Sequence, residues 1–146
     1  MSGALSRVTG EAVGDYTINQ GALKSTNNYT ISYTTATFKI TKASFNKANL
    51  TAAQKPAAKS LTYTAAAQAL LTAPTGTLPT GYTIQYKLST ASAYSTTIPS
   101  ATAAGPYTVN VLYKGDANHA DVQGDNIAVT IGKATLTVKA EAKSKV

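Results

Sequence analysis

The clearest pattern in the chain is the alternation in Gly105-Pro106-Tyr107-Thr108-Val109-Asn110-Val111-Leu112-Tyr113. Tyr107, Val109, Val111 and Tyr113 point one way; Thr108, Asn110 and Leu112 point the other. That period of two predicts a half-buried β-strand. The pattern returns at Gly14-Asp15-Tyr16-Thr17-Ile18-Asn19. A shift of 91 residues lays Gly14, Tyr16, Thr17 and Asn19 on Gly105, Tyr107, Thr108 and Asn110. The register then runs without a gap: Asn27 falls on Asn118, Phe38 on Val129, Ile40 on Ile131, Lys42 on Lys133 and Ala43 on Ala134. A shared register of this length predicts β-modules in tandem.

The same alternation recurs elsewhere. Tyr29, Ile31 and Tyr33 alternate with Thr30, Ser32 and Thr34; Ala36, Phe38 and Ile40 with Thr37, Lys39 and Thr41. Tyr82, Ile84, Tyr86 and Leu88 alternate with Thr83, Gln85 and Lys87. Tyr94–Ile98 reads as a short strand, and Ile127, Val129 and Ile131 as a closing one. One apolar face and one hydroxyl face per strand is the mark of antiparallel sheets covered on one side. Ala4–Val8 reads as a short edge strand. Glu11–Asp15 reads as a turn, with Gly14 free to take positive φ. Ala65–Leu71 has helical propensity but is short and stopped by Pro74; it reads as a bend followed by a strand. Pro99–Gly105 and Gly115–Asp121 are loops. Leu136, Val138 and Ala140 begin a further strand. About seven short strands with turn signals every eight to twelve residues predict a β-sandwich. The expected organisation is 1–42 as part of one β-module, 43–133 as a complete module, and 134–146 as the first strand of another.

Composition agrees. Among 146 residues are twenty-four Thr and nine Tyr, with no Trp and no Cys, which suits a pleated, half-wet surface. Zero Cys excludes a disulfide framework and a thiolate metal site. No stretch approaches the apolar length of a membrane helix, so no membrane insertion is expected. Met1-Ser2-Gly3 opens no charged-then-apolar signal segment. The net charge is +7, from twelve Lys and one Arg against six acids. The Lys are scattered, and one Arg is a poor supply for phosphate or guanine recognition. Lys that blunt exposed sheet edges account for the charge, and no nucleic-acid partner is expected.

Gly3–Ile18, continued by Asn28-Tyr29-Thr30-Ile31 and Phe38-Lys39-Ile40-Thr41-Lys42-Ala43, resembles the second half of the MBG-type repeat, found in tandem in large bacterial surface and adhesin-like proteins. Ala134–Ala140 resembles the opening strand of such a repeat, so the two ends resemble its two halves in reverse order. The middle resembles a bacterial Ig-like repeat, through Leu61-Thr62-Tyr63 with Ala67-Gln68, Ile98-Pro99, Ala104–Tyr107 and Gly115–His119. Ala65-Ala66 stand where that family carries Gly. The resemblance implies an all-β fold: an Ig-like antiparallel β-sandwich module with a partial second β-module at the N-terminus. It also implies an extracellular, bacterial cell-surface stalk, calcium-indifferent or calcium-aided, and does not imply catalysis.

Candidate chemistry is sparse. His119, with Asp116 or Asp121, is the one available base, but it lacks a nucleophile elbow or oxyanion segment nearby. Asp116, Asn118, Asp121 and Asp125 offer four oxygen side chains within ten residues, a candidate calcium set without EF-hand spacing; as turn-capping residues they need no metal. No other cofactor is expected. Lys–Asn cross-linking needs a buried Lys, and Lys42 and Lys133 should face outward. Leu78-Pro79-Thr80-Gly81 is a turn rather than a sortase signal. Tyr82, Tyr86, Tyr94, Tyr107 and Tyr113 could stack on sugars, but their alternation puts them on the core side. The expected function is a non-catalytic spacer whose partners are neighbouring repeats. The alternative is a module binding a glycan or host ligand through exposed Tyr and Thr. Leu136 and Val138 are expected to pair onto the 1–42 sheet of the same or a neighbouring chain, giving strand exchange or a homodimer through 134–146.

Overall fold

A computed structural model describes residues 1–144. In chain order the strands are β1 (Ser6–Arg7), β2 (Gly14–Asn19), β3 (Ala36–Ile40), β4 (Ala57–Ala58), β5 (Leu61–Thr62), β6 (Gln68–Ala69), β7 (Leu71–Thr72), β8 (Tyr82–Leu88), β9 (Ser100–Ala101), β10 (Gly105–Gly115) and β11 (Val122–Gly132). Two single turns of 3₁₀-helix, Lys47–Asn49 and Ala52–Gln54, are the helical content of the described residues. The fold is all-β and sandwich-like. β1-β2-β3 form one antiparallel sheet, and β5-β11-β10-β8 the principal one. The pairs β4-β7 and β6-β9 make two small sheets.

The alternation around Tyr107 folds as it reads. Val109, Val111 and Tyr113 are buried, and with Tyr82, Tyr86, Val129 and Ile131 they form the sheet's contribution to the core. Leu50, Leu70 and Leu71 supply the facing layer. Phe45 enters edge-on between Tyr82 and Tyr113, with ring centroids 4.7 and 5.5 Å away. Every fully buried side chain belongs to residues 50–131.

The 91-residue register is also a structural register. β2 pairs with β3 as Gly14↔Ile40, Asp15↔Lys39, Tyr16↔Phe38, Thr17↔Thr37 and Ile18↔Ala36. β10 pairs with β11 as Gly105↔Ile131, Pro106↔Thr130, Tyr107↔Val129, Thr108↔Ala128 and Val109↔Ile127. Each pair in the second hairpin is the first with 91 added. One side-chain bond repeats as well: the Tyr16 hydroxyl donates to the Ala12 carbonyl at 2.7 Å, and the Tyr107 hydroxyl to that of Ala103 at 2.8 Å. The third strand also matches. β1 sets Arg7 opposite Ile18, as β8 sets Leu88 opposite Val109. The connections differ: residues 8–13 join β1 to β2, whereas 89–104 join β8 to β10 and carry β9.

The two hairpins differ in cover. Val129 is 3% exposed, while Phe38, its counterpart, is 44% exposed. Among the described residues, Phe38 is not packed against the core. Instead the Arg7 guanidinium stands 5.0 Å from the Phe38 ring and 5.1 Å from that of Tyr16. A cation over an aromatic face tolerates water, so it substitutes for part of a core only weakly.

Several expectations need correction. Residues 29–35 form no strand; Tyr33 instead sends its hydroxyl to the Ile18 carbonyl at 2.8 Å, and Tyr29 is exposed. Ile31 and Tyr33 are only half-buried, and no strand pairs with this segment among the described residues. Tyr94–Ile98 contributes one bridging residue, Ser95 opposite Tyr86, and the expected loop after it contains β9. Gly14 lies in β2 without positive φ; Gly10 takes that conformation, and the Tyr16 ring occupies the space a Cβ would need there. The principal sheet is not wholly antiparallel, because β5 runs parallel to β11. Described residues 134–144 form no strand, and Leu136 and Val138 do not pair onto the 1–42 sheet of their own chain. The last two residues of that expected strand, 145 and 146, lie outside the described residues.

Ala65–Leu71 does bend and then extend. Ala65 sits at φ 61°, which costs a residue with a Cβ about 1–2 kcal/mol. We predict that Ala65→Gly raises stability by about 1 kcal/mol in urea titration; a loss of stability would contradict the assignment of that bend. We further predict that Ile131→Ala costs about 2–5 kcal/mol, as a fully buried site does. Its counterpart Ile40→Ala should cost well under half as much. Equal losses would mean that both hairpins are equally covered.

Candidate functional site

The polar loop after β10 carries two of the six acidic residues, Asp116 and Asp121, and both carboxylates are already engaged. Asp116 Oδ1 accepts from the Asn118 N–H at 2.8 Å and lies 2.6 Å from His119 Nδ1. The His119 hydrogen bond, then that of the Asn118 amide, lowers the Asp116 pKa. Asp121 accepts from Lys114 Nζ at 2.8 Å and from the Gly115 N–H at 3.0 Å, and Lys114 is the main reason its pKa is also lowered. Asp125 is not in the loop. It lies on β11, paired with Lys47 Nζ at 2.8 Å, and this bond lowers its pKa. A bulge places it there: Gly124 and Asp125 together face the single Val111. Gly124 is required, since a Cβ would come within 2.8 Å of Val111 Cβ.

The four candidate calcium ligands are therefore divided between a turn and a strand. Among the described residues no group of three or more His, Asp or Glu is placed to hold a metal. His119 bonds Asp116 and lies against Tyr82, ring centroids 5.1 Å apart. Gly81 leaves room for it, because a Cβ there would strike the imidazole.

The loop instead joins the two hairpins. Asn118 Oδ1 accepts from the Val13 N–H at 3.2 Å, across 105 residues. The Asn118 carbonyl accepts from the Ala43 N–H at 3.0 Å, and the Ala43 carbonyl from the Ala120 N–H at 2.8 Å and the Tyr82 hydroxyl at 3.2 Å. Lys42 Nζ donates to the Asp116 carbonyl at 3.5 Å. Asn118 thus holds the turn before β2 and the segment leaving β3 at once. The sequence reading missed this role; the one available signal was that Asn118 falls on Asn27 in the 91-residue register.

The tyrosines on the alternating strands lie mostly on the core side, as their alternation predicts. Tyr82, Tyr86 and Tyr113 are core residues, and Tyr107 is half-buried. Tyr94 lies 5.0 Å under Lys87 Nζ. The exposed tyrosines are Tyr29 and Tyr63. Tyr29 lines a cavity of about 480 Å³ with Met1, Thr26, Thr30 and Ile31.

Residues 1–39 match the family model of the MBG domain (YGX type). This part of the chain is therefore similar to an MBG-type repeat, and it contains β1, β2 and nearly all of β3. No curated protein and no solved structure matches the chain.

Two pH limits follow. A carboxylate whose folded pKa is depressed contributes stability above its unfolded pKa of about 4, lost as pH falls through the lower folded value. Asp116, Asp121 and Asp125 all act this way. Burial raises the pKa of Tyr86, and burial, then the charge of Asp125, raises that of Tyr113. Their contribution is complete below about pH 10 and is lost as pH rises further. We predict a stability plateau between about pH 5 and 9, with acid loss reduced in Asp125→Asn and alkaline loss reduced in Tyr113→Phe. Thermal unfolding across pH checks both, and limbs unchanged in these variants would contradict the assignment.

Proposed function

We propose that this chain is a non-catalytic spacer segment of a repetitive bacterial cell-surface protein, working outside the cell. The observation that carries the reading is the hairpin repeated with identical register at 91 residues. A protein that gives length needs copies of one brick and a defined joint between them, and little else. The Asn118 contacts to Val13 and Ala43 supply a joint of that kind. The MBG-type match over 1–39 supports the tandem context. The low supply of acids and the single His, already bonded to Asp116, argue against hydrolytic chemistry. The reading involves no cofactor and takes neighbouring repeats of the same polypeptide as partners.

A second reading rests on Tyr29. It is 75% exposed beside a cavity of about 480 Å³, and an aromatic face next to hydroxyl side chains suits a carbohydrate. This reading makes the segment a glycan- or host-ligand-binding module.

A glycan array probed with the whole chain, beside small-angle scattering of the chain and of Asn118→Ala, separates the two. The spacer reading expects no reproducible glycan signal and a broader distribution of dimensions once Asn118 is lost. Binding that disappears in Tyr29→Ala would overturn it in favour of the second.

A further inference from the structure

The outer edge of β11 has a partner, and the pairing is specific. β5 lies parallel to it with Leu61 opposite Ile131 and Thr62 opposite Gly132, and the Tyr63 N–H donates to the Gly132 carbonyl at 2.8 Å. Leu61 packs against the core beside Ile131. In the N-terminal sheet the equivalent edge belongs to β3, at Ile40 and Thr41. There the sheet order ends; no strand lies beyond β3 among the described residues. The apolar face bordering that edge carries Phe38, 44% exposed.

The chain also carries an unused strand of the right kind. Thr135-Leu136-Thr137-Val138 follows the pattern of Ser60-Leu61-Thr62-Tyr63. All described residues after Gly132 are exposed, with Leu136 at 87% and Val138 at 83%. An alternating segment that buries nothing and an open edge beside uncovered apolar surface are complementary, because adding a strand satisfies the backbone groups of both.

We propose that residues 134–138 of a second copy of this chain add to the outer edge of β3, parallel to it. The β5-β11 pairing fixes the register. Leu136 lies opposite Ile40 and Thr137 opposite Thr41, and the Val138 N–H donates to the Thr41 carbonyl. Partners in a parallel pair share a face, so Leu136 comes to rest beside Ile40 and Phe38 and extends the cover over them. Donor and acceptor are different surfaces of one chain. The contact is therefore either heterologous, so that chains grow, or closed when two copies exchange tails.

The test is sedimentation equilibrium of the full chain over a wide concentration range. The comparison is a variant carrying Leu136→Asp and Val138→Asp, with a chain ending at Lys133 as second control. The described residues that both controls alter are exposed, and circular dichroism checks that the body is unchanged. The expected result is a weight-average mass that rises with concentration for the full chain and stays monomeric for both controls. A full chain that remains monomeric throughout overturns the proposal, as does association that survives the double substitution.

Discussion

An antiparallel hairpin with one apolar face has to have that face covered, and the structure of this chain follows from how that need is met at two places. The need arises from burial itself: removing apolar surface from water yields about 25 cal/mol per Å², while a bare hairpin is marginal at best. At β10-β11 the inward side chains meet Leu50, Leu70 and Leu71, with Phe45 wedged between two tyrosines. At β2-β3 the same positions in the same register meet Arg7 and solvent. Similar alternation in one shared register thus gives a core in one place and a half-covered sheet in the other. The longer hairpin has residues packed across from it that the shorter one lacks among the described residues.

What the sequence revealed and what it withheld divide along this line. Local pattern was enough for β8, β10 and β11, where every inward residue of the alternation finds a partner. It failed at Tyr29-Ile31-Tyr33, where the alternation is as regular but Tyr29 stays exposed, Ile31 and Tyr33 are only half-buried, and no strand pairs with the segment among the described residues. It failed again at Leu136–Val138 for the same reason. Alternation predicts a strand only if something covers it, and periodicity in one segment says nothing about its cover. The 91-residue repeat was legible because it is written in side chains. The parallel attachment of β5 was not, since strands of two residues carry no directional signal.

The polar loop Gly115–Asp121 shows the same limit for chemistry. Four oxygen side chains in ten residues look like a cation site when read as a list. In three dimensions Asp125 stands on β11 against Lys47, Asp121 holds Lys114, and Asp116 holds His119. Each charge is answered by a neighbour. Asn118, a candidate metal ligand by residue type, anchors the backbone at Val13 and Ala43. Residue types named the kinds of bonds available, and tertiary contacts chose among them.

The account therefore describes one hairpin used twice, with a full second layer over one copy only. Native-state hydrogen exchange resolved by residue tests this most directly. The account predicts that amides of β2 and β3 exchange through an opening of much lower free energy than those of β10 and β11, which exchange only on global unfolding. If both hairpins exchanged at one common free energy, the two copies would be equally covered, and the account would be contradicted.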